Sequence, residues 1–173
     1  MLVELLEFPT DKDWAEVRRR ALVTVGKKKC DVPTNSWKEK ILRARHSPIR
    51  RLHFAFYIEC PYWVSVHLCR HIHAQPYVKS QRNDRQSEYD RNKAPQDQTV
   101  CMIWDMDAEE LMIIANKRLC KKASEETQEV VKEMCKQVIY RCPEFFNELV
   151  PMCVREGGCH EMKPCGKENG CAG

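Results

Sequence analysis

The sequence predicts a mixed α/β fold, with one main domain over residues 1–150 and a short cysteine-rich tail over residues 151–173. Three observations predict it. Leu52, Phe54, Phe56 and Ile58 alternate with His53, Ala55, Tyr57 and Glu59, the two-residue period of a strand with one buried face, and Thr99–Trp104 is a second strand candidate. The segments around them carry apolar residues at helical spacing instead. The 173 residues, 43% of them hydrophobic, suffice for one sizeable core but not for two large ones.

In chain order, a first helix is predicted from Asp11 or Asp13 to Val23, with Trp14, Val17, Ala21 and Leu22 on one face. Gly26 and the run Lys27-Lys28-Lys29 make a solvated turn. Ser36-Trp37-Lys38-Glu39 has capping-box spacing and opens a second helix, which carries Ile41 and Leu42 inward and stops before Pro48. The strand over residues 51–59 ends at Pro61. Tyr62 to His71 reads as a mostly apolar helix that delivers Arg70 and His71 at its far end. His73 to Asp97 is polar and aperiodic, a long loop of the kind that carries function in compact domains. Asp107-Ala108-Glu109-Glu110 is another capping box, opening a helix through Leu111, Ile114 and Arg118. Ser124 starts an amphipathic helix with Val130, Val131, Met134, Val138 and Ile139 spaced for burial. Pro143 suits the first turn of a short helix holding Phe145, Phe146 and Leu149. Beyond Pro151 there are almost no core-forming residues.

Composition excludes several classes. Lys and Arg exceed Asp and Glu by 29 − 25 = +4, too little for a nucleic-acid coat or a membrane-surface patch. No stretch approaches the roughly 20 apolar residues of a spanning helix. Met-Leu-Val-Glu-Leu-Leu-Glu carries acids where a secretory signal carries Lys or Arg, which predicts a cytoplasmic protein. The 11 cysteines, about 6% of the chain, fall below the roughly 8–10% of a disulfide scaffold and are odd in number, so reduced thiols are the expectation.

Arg70-His71-Ile72-His73 is followed by Ser80-Gln81-Arg82, then Arg85 and Arg91. Guanidinium forks suit phosphate oxygens, and His and Ser add donors, so this loop could hold a phosphorylated ligand such as a nucleotide. The order of these residues resembles the flavin-dependent thymidylate synthases. The resemblance runs from His46-Ser47-Pro48 through the strand and helix into Arg70-His71-Ile72, where that family has Arg-His-Arg, and on to Ser80-Gln81-Arg82. Arg91-Asn92-Lys93-Ala94-Pro95 is similar to the family's Arg-x3-Pro, and Trp104, Asp107, Asn116-Lys117-Arg118 and Glu126 fall at its intervals.

The resemblance implies a central, mainly antiparallel sheet with helices, and reductive methylation of dUMP to dTMP. Methylenetetrahydrofolate would donate the carbon and NADPH would reduce an FAD that carries the chemistry. By position, Ser80, Arg82, Arg91 and Arg118 would bind dUMP. Arg118 and Ser80 would be its catalytic contacts, with Ser80 a ligand contact rather than a nucleophile. His67, three residues before Arg70, would reach the same site. Ser47, Arg70, His71, His73 and Asp107 would line the flavin. A homotetramer with shared flavin sites is also implied. The chain departs from the family at Ile72, at Arg50 where Glu is usual, at Val78, at Asp107 where Asn is usual, and in a short segment between Arg82 and Arg91. The rival reading is a non-enzymatic nucleotide- or flavin-binding homologue whose cysteine tail docks a partner.

The tail has its own pattern, Cys153-x5-Cys159-x5-Cys165-x5-Cys171, with Cys142 and His160 near it. Thiolates are the soft ligands of tetrahedral zinc, and a segment so poor in apolar residues cannot order itself by burial. The expected ligands are Cys142, Cys153, Cys159 and Cys165, with Cys171 or His160 as substitute. A disordered reduced tail and redox-active thiols are the alternatives. Cys30, Cys60, Cys69, Cys101, Cys120 and Cys135 read as ordinary buried thiols, and Met102, Met106, Met112 and Met134 as core.

Overall fold

A computed structural model describes residues 1–86 and 89–165 of the chain. Cys171, invoked for the tail site, lies outside the described residues. Four strands form one antiparallel sheet in the order β1-β2-β4-β3, with β1 at Leu2–Glu7, β2 at His53–Pro61, β3 at Gln75–Val78 and β4 at Thr99–Asp107. The expected mixed α/β class with an antiparallel sheet is what the chain adopts. β2 and β4 pair along their whole length, from His53 opposite Asp107 to Pro61 opposite Thr99. Phe54, Phe56, Ile58 and Cys60 of β2 and Val100, Met102, Trp104 and Met106 of β4 are buried on one face, which the alternation in β2 demanded.

The helices are α1 (Asp11–Val23), α2 (Asn35–Arg43), α3 (Tyr62–Cys69), α4 (Ala108–Arg118), α5 (Glu125–Arg141) and α6 (Met152–Arg155), with 3-10 turns at Ser47–Arg51 and Pro143–Phe145. The N-terminus of α1 is closed by Thr10, whose hydroxyl and backbone N–H both donate to the Asp13 carboxylate at 2.8 and 3.0 Å. That carboxyl is held below its ordinary value: the Thr10 hydrogen bonds and nearby Arg51 outweigh the opposing cost of burial. α5 packs along β1, where Gln137 accepts from the Leu5 N–H and donates to the Val3 carbonyl, both at 2.8 Å. One side chain thereby occupies the open edge of the sheet. Lys38 is buried with its ammonium 3.6 Å from Glu144 and 5.2 Å from the Trp14 ring centre.

Several expectations are corrected. β1 was not foreseen, and β3 lies inside the segment expected to be loop. α2 begins at Asn35 with Thr34 as its cap, so Ser36 sits within the first turn. Phe146 is 62% exposed rather than core, and Cys30 is exposed.

Candidate functional site

The site is built where β4 hands over to α4. Asp107 ends the strand and caps the helix, its carboxylate accepting from the Glu110 N–H at 2.9 Å. The acid that replaces the family's usual Asn therefore has a structural task that either residue can perform. One turn into α4, the Glu110 side chain is only 4% exposed and places Oε1 3.3 Å from His71 Nδ1. At the far end of α4, Arg118 donates through Nε to His71 Nε2 at 2.9 Å and through a terminal nitrogen to the His67 carbonyl at 3.0 Å. Since Nε2 accepts, the ring proton sits on Nδ1, facing Glu110. Glu110, His71 and Arg118 thus form one chain of contacts that fixes the guanidinium. His71 also packs edge-on against Trp104, with ring centres 6.3 Å apart, and His67 against Trp63 at 5.4 Å. Thr127 Oγ1 lies 3.4 Å from His67 Nδ1.

The charge of Arg118 is left over. Its hydrogen bonds go to an imidazole nitrogen and a carbonyl, and among the described residues neither Arg118 nor Arg70 forms an ion pair. Burial, and then the neighbouring Arg70, lower the guanidinium of Arg118 from its ordinary value. Two adjacent cations, one half-buried and without a carboxylate partner, are what an anion would relieve.

The other expected nucleotide residues lie on the loop between β3 and β4. Arg82 is exposed and grips Asp84 through two nitrogens at 2.9 and 2.7 Å. Its own N–H donates to Ser80 Oγ at 3.3 Å, and the Ser80 carbonyl accepts from the Gln86 amide at 2.7 Å. Arg91 is exposed, its backbone tied to Asn83 at 3.4 Å. Among the described residues no hydrogen bond or ion pair joins Ser80, Arg82 or Arg91 to Arg118 or His67. The structure assembles Arg118, His67 and His71, and leaves the loop residues on their own partners.

The expected flavin-lining residues are scattered in the same way. Ser47 is exposed at the start of its 3-10 turn, Arg70 is exposed at the end of α3, and His71 is held by Glu110 and Arg118. His73 and Asp107 line a cavity of about 330 Å³ with Arg50, Glu109, Glu110 and Ile113. Arg50, standing where Glu is usual, pairs with Glu109. The wall then carries three carboxylates against one guanidinium that is already engaged.

The tail thiols divide. Cys142 closes α5 and is buried in the core, where burial and the nearby Glu144 push its thiol up to about 12. Cys153, Cys159 and Cys165 line a separate cavity of about 60 Å³, together with Cys120, His160, Lys117 and Lys122. Among the described residues no three His, Cys, Asp or Glu side chains stand close enough together to hold a metal ion. Likewise, no helix among them is long and apolar enough to cross a membrane.

With this geometry in hand, residues 84–144 match the family model described as thymidylate synthase complementing protein. A sequence comparison with curated proteins finds no match. Among solved structures the chain is similar to a UMP/dUMP methylase, PolB, from Streptomyces cacaoi, bound with 5-Br dUMP. That likeness has TM-score 0.67 and 15% identity, over 86% of this chain and 96% of the other. It is also similar to the flavin-dependent thymidylate synthase ThyX from Helicobacter pylori, complexed with FAD and dUMP. Here the TM-score is 0.67 and the identity 19%, over 87% of this chain and 100% of the other. The resemblance read from the sequence stands: the chain has the fold of the flavin-dependent thymidylate synthases and matches their family model over part of its length.

Two residues escaped the sequence reading. Glu110 was visible only as the fourth residue of a capping box, and its partner His71 is far away in sequence. Cys120 read as a core thiol because nothing local links it to Cys153.

Proposed function

We propose that this chain binds a uracil nucleotide, dUMP by resemblance, and methylates it. The observation that carries the reading is the pair Arg70 and Arg118, cations without carboxylate partners among the described residues, held beside His67 and His71 in a fold shared with two proteins solved with uracil nucleotides. Arg118 receives the anion and is kept in place by His71 and Glu110. Arg82 exchanges Asp84 for the nucleotide, Arg91 adds a second fork, and Ser80 a hydroxyl contact. A preorganised cation at the ring also favours negative charge developing there, which is the help that reductive methylation needs. Methylenetetrahydrofolate as carbon donor, NADPH as reductant, FAD and a homotetramer complete the reaction that the resemblance implies.

One observation favours the second reading, a nucleotide-binding protein without methyl transfer: the acidic cavity of Asp107, Glu109 and Glu110 on the expected flavin side. Calorimetry with dUMP and uridine, together with a visible spectrum before and after FAD is added, separates the two. Tighter binding of dUMP than of uridine supports the phosphate reading, and equal affinities sink it. Protein that binds dUMP, shows no flavin band and ignores added FAD belongs to the second reading.

A further inference from the structure

We propose that Cys120, Cys153, Cys159 and Cys165 form a four-thiolate site for one zinc ion, which clips the tail to the end of α4. The site is independent of the nucleotide reading. Its ligands come from three separate pieces of chain: the α4–α5 connection supplies Cys120, α6 supplies Cys153, and the segment beyond α6 supplies Cys159 and Cys165. All four line one cavity. At about 60 Å³ that cavity is the size of an ion or a pair of waters, far too small for a nucleotide or an organic cofactor.

The electrostatics and the folding logic agree. Four thiolates around Zn²⁺ carry a net charge of −2, and two ammonium groups, Lys117 and Lys122, line the same cavity. Lys122 also donates to the Lys163 carbonyl, so the tail already lies over this end of the helix. Residues 156–165 include no buried side chain, so burial contributes little to ordering them, whereas metal binding can supply that free energy. Cys142 is the wrong fourth ligand. It is a core thiol packed among Trp14, Phe145 and their neighbours, it does not line this cavity, and ionising it would place a charge in the core. The four thiols line the cavity without three of them standing at ligand distance of one point. Binding draws them in to the usual Zn–S length of about 2.3 Å and releases their protons. A closed set of four thiolates leaves no position for water, which makes the site structural.

The experiment uses the full chain without an affinity tag, stripped with a chelator and titrated with Zn²⁺, and separately with Co²⁺ as a spectroscopic probe. The expected result is one ion per chain, thiolate-to-cobalt charge-transfer bands, and four more thiols reacting with a thiol reagent after chelation than before. Cys120→Ser and Cys165→Ser should lose the stoichiometric ion, while Cys142→Ser and Cys30→Ser keep it. Cys165 is exposed, so its variant tests ligation even where Cys120→Ser fails to fold. No bound metal, a disulfide between any two of the four in freshly purified protein, or a metal lost with Cys142→Ser and kept with Cys165→Ser overturns the site.

Discussion

The two halves of the proposed nucleotide site differ in how far the protein has built them. The helical half is finished: Glu110 is 4% exposed, it fixes His71, and His71 fixes Arg118. The loop half is not. Arg82 and Asp84 are 61% and 60% exposed, and the Arg82 fork is spent on its neighbour. The lesson concerns where binding energy comes from. A guanidinium already oriented and partly desolvated gives up its full attraction to an anion, whereas an exposed one must first leave a partner and lose side-chain freedom. The helical half should therefore dominate affinity, and the loop half should tune it.

The sharpest way to break that comparison is Arg118→Ala. We expect it to weaken dUMP binding by about 3 kcal/mol, roughly a hundredfold, by calorimetry on protein whose circular dichroism is unchanged. Arg118→Lys should recover only part of the loss, because an ammonium keeps the charge but not the fork that spans His71 and the His67 carbonyl. Next in size is Glu110→Ala. It leaves the His71 Nδ1 proton without its carboxylate acceptor in a half-buried setting, and should cost about 2 kcal/mol of stability in urea melts. Affinity should fall by less than in Arg118→Ala, since Glu110 acts through His71. Glu110→Gln, which still offers an acceptor, should restore most of both. Arg91→Ala, on the loop, should cost about 1.5 kcal/mol of affinity, tenfold, and nothing in melting. If it costs as much as Arg118→Ala, the loop is as well built as the helix and the comparison is wrong.

What the sequence made legible follows the same division between local and distant causes. β2 and α4 were readable because their signals are short-range: a two-residue alternation in one and the Asp107–Glu110 box in the other. β1 was not. Leu2 and Leu6 are exposed, Val3 and Leu5 half-buried, and the strand is completed by Gln137 from more than a hundred residues away. β3 is four residues long with Pro76 inside it, and only its pairing with β4 makes it a strand. The arginines proposed for the nucleotide were singled out by their order along the chain. The grouping of Arg118 with His71 and Glu110, and of Cys120 with the tail thiols, is tertiary and leaves no local mark. Asp107 shows the converse: a residue that departs from the resemblance is a helix cap.

The smallest expected effect is the most pointed test of the loop half. The Asp84 carboxyl is held below the usual range by its hydrogen bonds from Arg82. A carboxyl lowered in this way is ionised, and keeps Arg82 engaged, at every pH above its ordinary value; the pairing is lost only as pH falls through the lowered value. At neutral pH the nucleotide must therefore compete with Asp84. Because the pair is exposed, its strength is small and screened, so melting temperature should be unchanged in Asp84→Asn. Affinity for dUMP should rise, by roughly two- to fivefold, because the Arg82 fork no longer has to leave an ionised partner. The gain should shrink as salt is raised, which weakens the wild-type pair, and should be absent in the double variant Arg82→Ala with Asp84→Asn. A gain that persists without Arg82 would mean that Asp84 repels the nucleotide directly and that Arg82 takes no part in binding it.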